Sequence, residues 1–209
     1  GEAIGKAEGA RNTLDQTFRV FFDLDDNGTL EEVAIPTAVA HVEETRGEIF
    51  VSHKWAPSEA LSVDSSLNFE FSKISNNFPF SPERRLNFLK PRLDARYKLG
   101  QSSQLRLLVE RTVSQLDFSN FVPSYEVVDQ RIEPGNPGLA PEKIWIYEAG
   151  FEHRLANDGG VLDFRAFYHQ ITDHIDKIPF IDQNNNLVSA QGNIADANLY
   201  GIEGRASVR

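Results

Sequence analysis

One stretch of the chain has the acidic spacing of a calcium-binding loop. Asp23, Asp25 and Asn27 stand at positions one, three and five of this stretch, and Gly28 stands at position six, as in an EF-hand loop. The last position should be a bidentate Glu but is Ala34, and the flanking residues alternate as strands do. Because Asn and Gly accept positive φ angles, Asp-Asn-Gly between two strands favours a β-hairpin over a calcium site.

The other residues able to do chemistry form no catalytic pattern. The five histidines lack metal-site spacing, and His169 and His174 are expected on opposite faces of one continuous strand. There is no nucleophile elbow, phosphate loop or dinucleotide fingerprint. Glu148 and Glu152 are better explained as part of a solvated polar face than as an acid and base pair. We therefore predict that the chain is not an enzyme, with no catalytic, cofactor-binding or metal-binding residue and no cofactor, and we assign no ligand-binding residue.

Composition narrows the class of protein. The 209 residues suit one large domain or part of a larger one, and a net charge of −10 with pI near 5.0 excludes nucleic acid as a partner. No run approaches the 18 or so apolar residues of a transmembrane helix. The chain has no Cys and no Met and starts at Gly1, so we expect a fragment or a processed product.

Alternation of apolar and polar residues predicts a chain made almost entirely of strands. The clearest case is 145–155, where Trp145, Tyr147 and Phe151 point to one face and Glu148 and Glu152 to the other. Nine strands are predicted in this way: 14–24, 30–39, 48–55, 61–72, 93–99, 105–113, 145–155, 162–169 and 200–208.

The connections between these strands are predicted to alternate between short and long. The short turns are 25–28, 56–59, 100–103 and 156–160, and the longer links are 41–47, 75–85, 117–142 and 173–197. A membrane barrel has short turns on its periplasmic side and long loops outside, whereas a sandwich has no reason to alternate them. Aromatic residues near strand ends fit the two girdles of such a barrel: Trp55, Tyr97, Trp145, Tyr168 and Tyr200.

Several segments resemble TonB-dependent receptors, the outer-membrane transporters of Gram-negative bacteria. Residues 136–142 have that family's Asn-Pro-x-Leu-x-Pro-Glu pattern, and the following strand carries Tyr-Glu-Ala-Gly-Phe. The other segments that resemble family strands are 88–97 (Phe-Leu-Lys-Pro-Arg-Leu-Asp-Ala-Arg-Tyr), 109–118, 159–176 and 192–203 (beginning Gly-Asn). Residues 1–85 match only in strand character.

The resemblance implies an all-β fold, an antiparallel up-and-down meander of about nine strands that is part of a large transmembrane β-barrel wall. Residues 1–209 would be a partial β-barrel region without plug, TonB box or terminal aromatic residue. The implied function is active uptake of a scarce ligand, most often a ferric siderophore, across the Gram-negative outer membrane. The implied partners are the inner-membrane TonB complex, reached through the plug, the siderophore or other small ligand, and outer-membrane lipid. Selectivity would lie in the loops 76–82, 120–138 and 179–193.

If the chain is barrel wall, two sets of side chains should occupy opposite faces of the sheet. The polar set, expected towards the lumen, is Arg19, Asp64, Glu70, Asp94, Arg96, Arg106, Glu110, Glu148, Glu152, Arg165, Glu203 and Arg205. The apolar set, expected towards lipid, is Phe18, Val20, Phe69, Phe71, Leu107, Val109, Phe151 and Phe164.

Two other functions are compatible with the pattern. A soluble β-rich ligand-binding module, either a lectin-like sandwich or an open barrel, would turn its apolar faces into a common core. An outer-membrane hydrolase would need a Ser–His pair in register on neighbouring strands, and no such pair has support from its spacing.

Overall fold

Strand is the dominant structure in the computed structural model, which describes residues 1–23, 25–33, 38–77, 83–126, 131–133, 135–181 and 187–208. Two short 3-10 turns, Phe118–Phe121 and Ala156–Asp158, complete the regular structure of these ranges, and none of their helices is long and apolar enough to cross a membrane. The strands are β1 (Glu2–Thr17), β2 (Val20–Phe22), β3 (Glu31–Val33), β4 (Val39–Trp55), β5 (Leu61–Asn76), β6 (Glu83–Leu99), β7 (Ser103–Val113), β8 (Ser124–Glu126), β9 (Arg131–Glu133), β10 (Lys143–Arg154), β11 (Gly160–Thr172), β12 (Ile175–Ile181), β13 (Leu187–Asn193) and β14 (Ala197–Val208).

Eight of these strands form one antiparallel sheet in the order β1-β4-β5-β6-β7-β10-β11-β14. The order follows the chain, so the predicted all-β meander is confirmed. The other six strands pair as hairpins β2–β3, β8–β9 and β12–β13, which lie in the connections between sheet strands. We call the end of the sheet that carries these hairpins the loop end and the opposite end the turn end.

The first two predicted strands are wrong in their bounds. β1 starts at Glu2, far before the predicted start at residue 14. The prediction missed this first half because it alternates small residues with polar ones and has little hydrophobic signal. The predicted strand 30–39 is instead β3 and the start of β4. Pro36 and Leu24, which fall within the first two predicted strands, lie outside the described residues. The predicted link 41–47 is the interior of β4, so the wall has eight strands where nine were expected.

Two connections also differ from the prediction. The turn 25–28 joins β2 to β3 and therefore belongs to the long connection between β1 and β4, at the loop end. β5 continues to Asn76 and β6 starts at Glu83. This leaves a connection of 77–82, of which 78–82 lie outside the described residues. The strict alternation of short and long links is therefore weaker than predicted.

The hairpin around 156–160 is confirmed. β10 pairs with β11, and Phe151 lies directly opposite Phe164, as expected from the alternation. Asn157 (φ 57°) and Gly160 (φ 146°) supply the positive φ angles of the turn. On the charged side of the hairpin Glu152 lies opposite Asp163, and the Glu152 carboxylate binds Arg154 on the same strand at 3.0 Å.

Cross-strand register defines two faces of the sheet. Residues paired directly across strands share a face, so the even-numbered residues of β1, β4–β7 and β10 lie with the odd-numbered residues of β11 and β14. All of the predicted polar set except Arg19 occupy this face, which we call the charged face. The members of the apolar set that lie in the sheet, Phe69, Phe71, Leu107, Val109, Phe151 and Phe164, occupy the other, the apolar face. Phe18 lies between β1 and β2, and Val20 lies in β2.

The buried core lies at the loop end and not along the sheet. Ala40, Val42 and Ile74 on the charged face pack with Phe121, Val122 and Leu139 from the connection between β7 and β10. On the apolar face, by contrast, Leu107 is 57% exposed and Ile202 is 83% exposed. A soluble module would bury this face, whereas no described element covers it.

Candidate functional site

The centre of the charged face is an ion network around Asp94. The Asp94 carboxylate is only 3% exposed and accepts hydrogen bonds from Arg106 at 2.7 Å, Arg96 at 3.3 Å and Arg92 at 3.4 Å. Register brings these groups together, because Arg96 and Arg106 are directly opposite each other on β6 and β7. A buried carboxylate is tolerated when it is paired and hydrogen-bonded in this way.

A second network compensates a like-charge contact. Glu48 and Glu70 lie directly opposite each other on β4 and β5, which would be destabilising if they were alone. Lys90 on β6 donates to Glu70 at 2.5 Å and lies 3.6 Å from Glu48, while Arg46 contacts Glu48 at 2.9 Å. The charges are therefore neutralised within the wall.

Gly150 opens a shallow cavity of about 300 Å³ on the charged face. It lies between Arg106 on β7 and Arg165 on β11, its direct cross-strand partners. Arg165 is held by Glu148 at 3.1 Å and Glu203 at 2.9 Å. Glu148 thus belongs to an ion network and is not aligned with Glu152 as an acid and base.

The apolar face has aromatic residues at both ends. Trp55 and Tyr97 lie near the turn end, and Trp145, Tyr168 and Tyr200 lie near the loop end, all on the apolar face. Tyr147 joins the loop-end row, with ring centroids 6.1 Å from Trp145 and 6.2 Å from Tyr168. This placement agrees with the predicted girdles.

Arg111 is the one charge that broke the predicted alternation of β7. Its guanidinium lies 5.9 Å from the ring centroid of Trp145 and donates to the Leu89 carbonyl at 3.1 Å. The cation is therefore accommodated on the apolar face, beside the loop-end aromatic row, by an aromatic ring and a backbone acceptor.

The connections at the loop end fold over the charged face. We call residues 114–126, 135–142, 173–181 and 187–196 the cap. Phe121 and Leu139 of the cap are fully buried against the sheet, and Arg84 on β6 donates to the carbonyls of Pro137 at 3.1 Å and Leu139 at 2.5 Å. Of the predicted selectivity loops 120–138 and 179–193, residues 120–126, 135–138, 179–181 and 187–193 lie in the cap, whereas 127–130, 134 and 182–186 lie outside the described residues.

Comparison with known proteins agrees with this architecture. A family model described as the TonB dependent receptor-like beta-barrel matches residues 4–209. The chain belongs to this family. No curated protein matches the chain.

Solved structures of receptors share the fold at low sequence identity. The hemophore receptor HasR of Serratia marcescens, solved as a double mutant with its hemophore HasA and heme, has a TM-score of 0.63 at 12% identity, over 98% of this chain and 39% of that one. The FrpB iron transporter of Neisseria meningitidis has a TM-score of 0.61 at 11% identity, over 100% of this chain and 31% of that one. The siderophore receptor PirA of Pseudomonas aeruginosa has a TM-score of 0.52 at 15% identity, over 97% of this chain and 46% of that one. The chain thus spans less than half the length of these receptors.

The calcium-like stretch of this receptor barrel segment is a hairpin tip. Asp23 accepts hydrogen bonds from the backbone N–H groups of Asn27 at 3.1 Å and Gly28 at 2.8 Å, so its carboxylate stabilises the turn. Asp26 and Gly28 have positive φ, whereas Asn27 does not, contrary to the expectation. Among the described residues no three His, Asp or Glu side chains converge on a metal-sized site.

The histidines are placed partly as expected. His53 and His153 lie on the apolar face, as predicted. His169 and His174 do not share a continuous strand, because β11 ends at Thr172; His174 instead contacts Glu142 of the cap at 2.5 Å. His41 contacts Asp15 at 2.6 Å.

A Ser–His pair in register does exist, contrary to the sequence analysis. Ser103 on β7 lies opposite His153 on β10, and the Ser103 hydroxyl is 2.8 Å from Nδ1 of His153. Within the described residues no carboxylate lies within 4.0 Å of His153, so the third member of a triad has no candidate. The pair could not be found from spacing because the two residues are 50 positions apart.

Proposed function

We propose that the chain is a block of barrel wall in an outer-membrane TonB-dependent receptor of a Gram-negative bacterium. The observation that carries this proposal is the division of side chains between the two faces. Ion networks fill the charged face, where Asp94 is 3% exposed, while large apolar side chains such as Leu107 and Ile202 are exposed on the other. Exposed apolar surface of this extent needs a lipid environment, and paired charges suit a lumen that holds a plug.

The orientation can be tested on one strand, because the chain has no natural Cys. Leu107→Cys and Gln104→Cys place a thiol on the apolar and charged faces of β7 respectively. Each variant of the complete receptor is labelled with a polarity-sensitive fluorophore and reconstituted into vesicles. Brominated lipid should quench the label at position 107, whereas aqueous iodide should quench the label at position 104. Equal quenching by lipid at both positions would contradict the assignment of the faces.

The complete receptor would take up a scarce, bulky ligand with energy delivered by the TonB complex. We propose an iron-carrying small molecule, a ferric siderophore, as the class of ligand. The named functions of the similar structures, a siderophore receptor, an iron transporter and a hemophore receptor, support an iron-related ligand in general. The barrel wall supplies loops for capture and a surface for the plug, with no chemical step.

The end of hairpin β12–β13 is the best-described candidate for ligand contact. Ile181 and Leu187 are direct partners there and are 63% and 73% exposed. The double variant Ile181→Ser with Leu187→Ser should lower binding of the cognate ferric siderophore while the receptor still assembles in the outer membrane. Leu199→Ser, also exposed but in the sheet, is the control. Unchanged binding by the double variant would remove this hairpin end from the capture surface.

A further inference from the structure

The two segments of the first half of the cap, 114–126 and 135–142, approach each other unusually closely. Gly135 lies so near the backbone of Phe121 that an added Cβ would be 2.2 Å from the Phe121 oxygen. The backbone N–H of Asn136 donates to the Asn120 carbonyl at 2.7 Å, which closes this half upon itself. With Arg84 bound to two of its carbonyls, this half is fixed as a unit on the charged face.

The second half, 173–181 and 187–196, is fastened to the first through the side chain of Asn193. Its oxygen accepts from the Ala140 N–H at 2.8 Å, and its nitrogen donates to the carbonyls of Ala140 at 2.9 Å and Asp173 at 2.7 Å. Asn136 adds a reciprocal contact, because its side-chain nitrogen donates to the Gln191 carbonyl at 2.9 Å. An asparagine amide has one acceptor oxygen and two donor hydrogens. Asn193 joins the two halves through its two hydrogen bonds to Ala140, and its remaining donor binds Asp173 within its own half.

A third set of contacts joins the bases of the two halves. The Glu142 carboxylate contacts His174 at 2.5 Å and accepts from the Ile175 N–H at 3.4 Å. Lys143 at the start of β10 forms an ion pair with Asp173. Ion pairs therefore connect the bases of the two halves, while Asn193, Asn136 and Glu142 bind backbone groups of the other half. Hydrogen bonds to backbone groups fix the relative position of the halves more closely than surface ion pairs do.

We propose that the two halves of the cap open and close as one body, coupled by Asn193 and Asn136. Loosening either half then loosens the other, because each asparagine satisfies backbone groups outside its own half. The consequence for capture, that a ligand touching one half changes the other, rests on the proposed function; the coupling itself does not.

Hydrogen–deuterium exchange of the complete receptor in lipid nanodiscs tests the coupling. Asn193→Ala should speed amide exchange in 136–142 as well as in 187–196, by about five- to thirtyfold, since part-buried hydrogen bonds to backbone groups are lost. Asn136→Ala should speed exchange in 187–193 in the same way. Asn198→Ala is the matched control: this exposed residue near the start of β14 accepts a hydrogen bond from the Tyr168 hydroxyl and, among the described residues, its side chain has no hydrogen bond to the cap. Exchange in both halves should stay unchanged.

A second variant tests the donated hydrogen bonds, and the sheet reports on folding. Asn193→Asp keeps the acceptor for the Ala140 N–H but turns a carboxylate oxygen towards the carbonyls of Ala140 and Asp173, so its effect should equal or exceed that of Asn193→Ala. Exchange of the sheet strands β5 and β6 should not change in any variant. Faster exchange confined to the mutated half, or no change in either half, would overturn the coupling. The readout requires neither ligand nor transport, so the proposed function can fail while the coupling holds.

Discussion

A matched pair of leucines on β7 offers a direct energetic test of the two faces. Leu107 and Leu108 are adjacent, so they point to opposite faces. Leu107 is 57% exposed and lies opposite Ala95 and Ala149 on the apolar face. Leu108 lies on the charged face, directly opposite Asp94 and Glu148. The same substitution by lysine therefore enters two different environments one residue apart.

The expected costs differ in size because of the partners at each position. Leu107→Lys would place an ammonium group in the lipid-facing band, which costs about 2–4 kcal/mol near the bilayer midplane. Leu108→Lys would place it between two carboxylates, while the methylene stem covers the surface that leucine covered. A cross-strand charge pair contributes roughly 0.2–1 kcal/mol, so we expect a net cost of about 1 kcal/mol or less for Leu108→Lys.

Denaturant titration of the complete receptor in phospholipid vesicles measures this difference. Trp55 and Trp145, both on the apolar face, report unfolding by fluorescence. The midpoint for Leu107→Lys should fall clearly below that for Leu108→Lys. Equal losses, or a larger loss for Leu108→Lys, would refute the assignment of lipid and lumen to the two faces.

Three further substitutions test how the wall is held together, each measured by the same unfolding titration. Gly47→Ala should destabilise by about 1–3 kcal/mol because its Cβ would lie 2.3 Å from an aromatic ring, whereas Gly9→Ala, directly opposite, has its nearest contact at 3.9 Å and should be neutral or stabilising. Gly160→Ala should prevent a stable β11–β14 pairing, since φ is 146° and the Cβ would lie 2.0 Å from a backbone oxygen. Asp94→Ala should cost about 1.5–3 kcal/mol, and Asp64→Ala, whose side chain is 42% exposed, should cost less.

The middle of the wall was predictable from the sequence because alternation there reports two different environments. Every second residue is aromatic or aliphatic from Trp145 to Phe151 in β10 and from Leu162 to Tyr168 in β11, and the observed register places Phe151 opposite Phe164. The same signal failed where strands extend past the apolar band. In the part of β4 before Gly47, the apolar face carries His41 and Glu43. His41 contacts Asp15 at 2.6 Å, and Glu43 accepts a hydrogen bond from Arg11 at 2.8 Å. Paired charges there replace the hydrophobic pattern, so this part of the strand was taken for a link.

The contacts of the cap could not be predicted from alternation because they depend on backbone groups far apart in sequence. Asn193 and Ala140 are 53 positions apart, as are Arg84 and Pro137. A side chain that binds a carbonyl needs no particular sequence partner, so no pairing of residue types reveals it. The resemblance to the receptor family did mark Asn136 and Asn193 within its patterns, without indicating that the two segments touch.

The roles of these family-pattern residues explain why the comparisons identify a fold and not a ligand. The side-chain oxygen of Asn136 accepts a hydrogen bond from the Gly138 N–H at 3.0 Å and so stabilises a turn. Leu139 is fully buried, and the Glu142 carboxylate accepts a hydrogen bond from the Ile175 N–H. Each of these residues satisfies a backbone group or fills the core of the cap, and none presents a free group to solvent for capture. Receptors with different ligands can therefore share the pattern, because it fixes the position of the cap on the wall. Under the proposed function, the residues that select the ligand would lie on the exposed ends of the hairpins, outside this pattern.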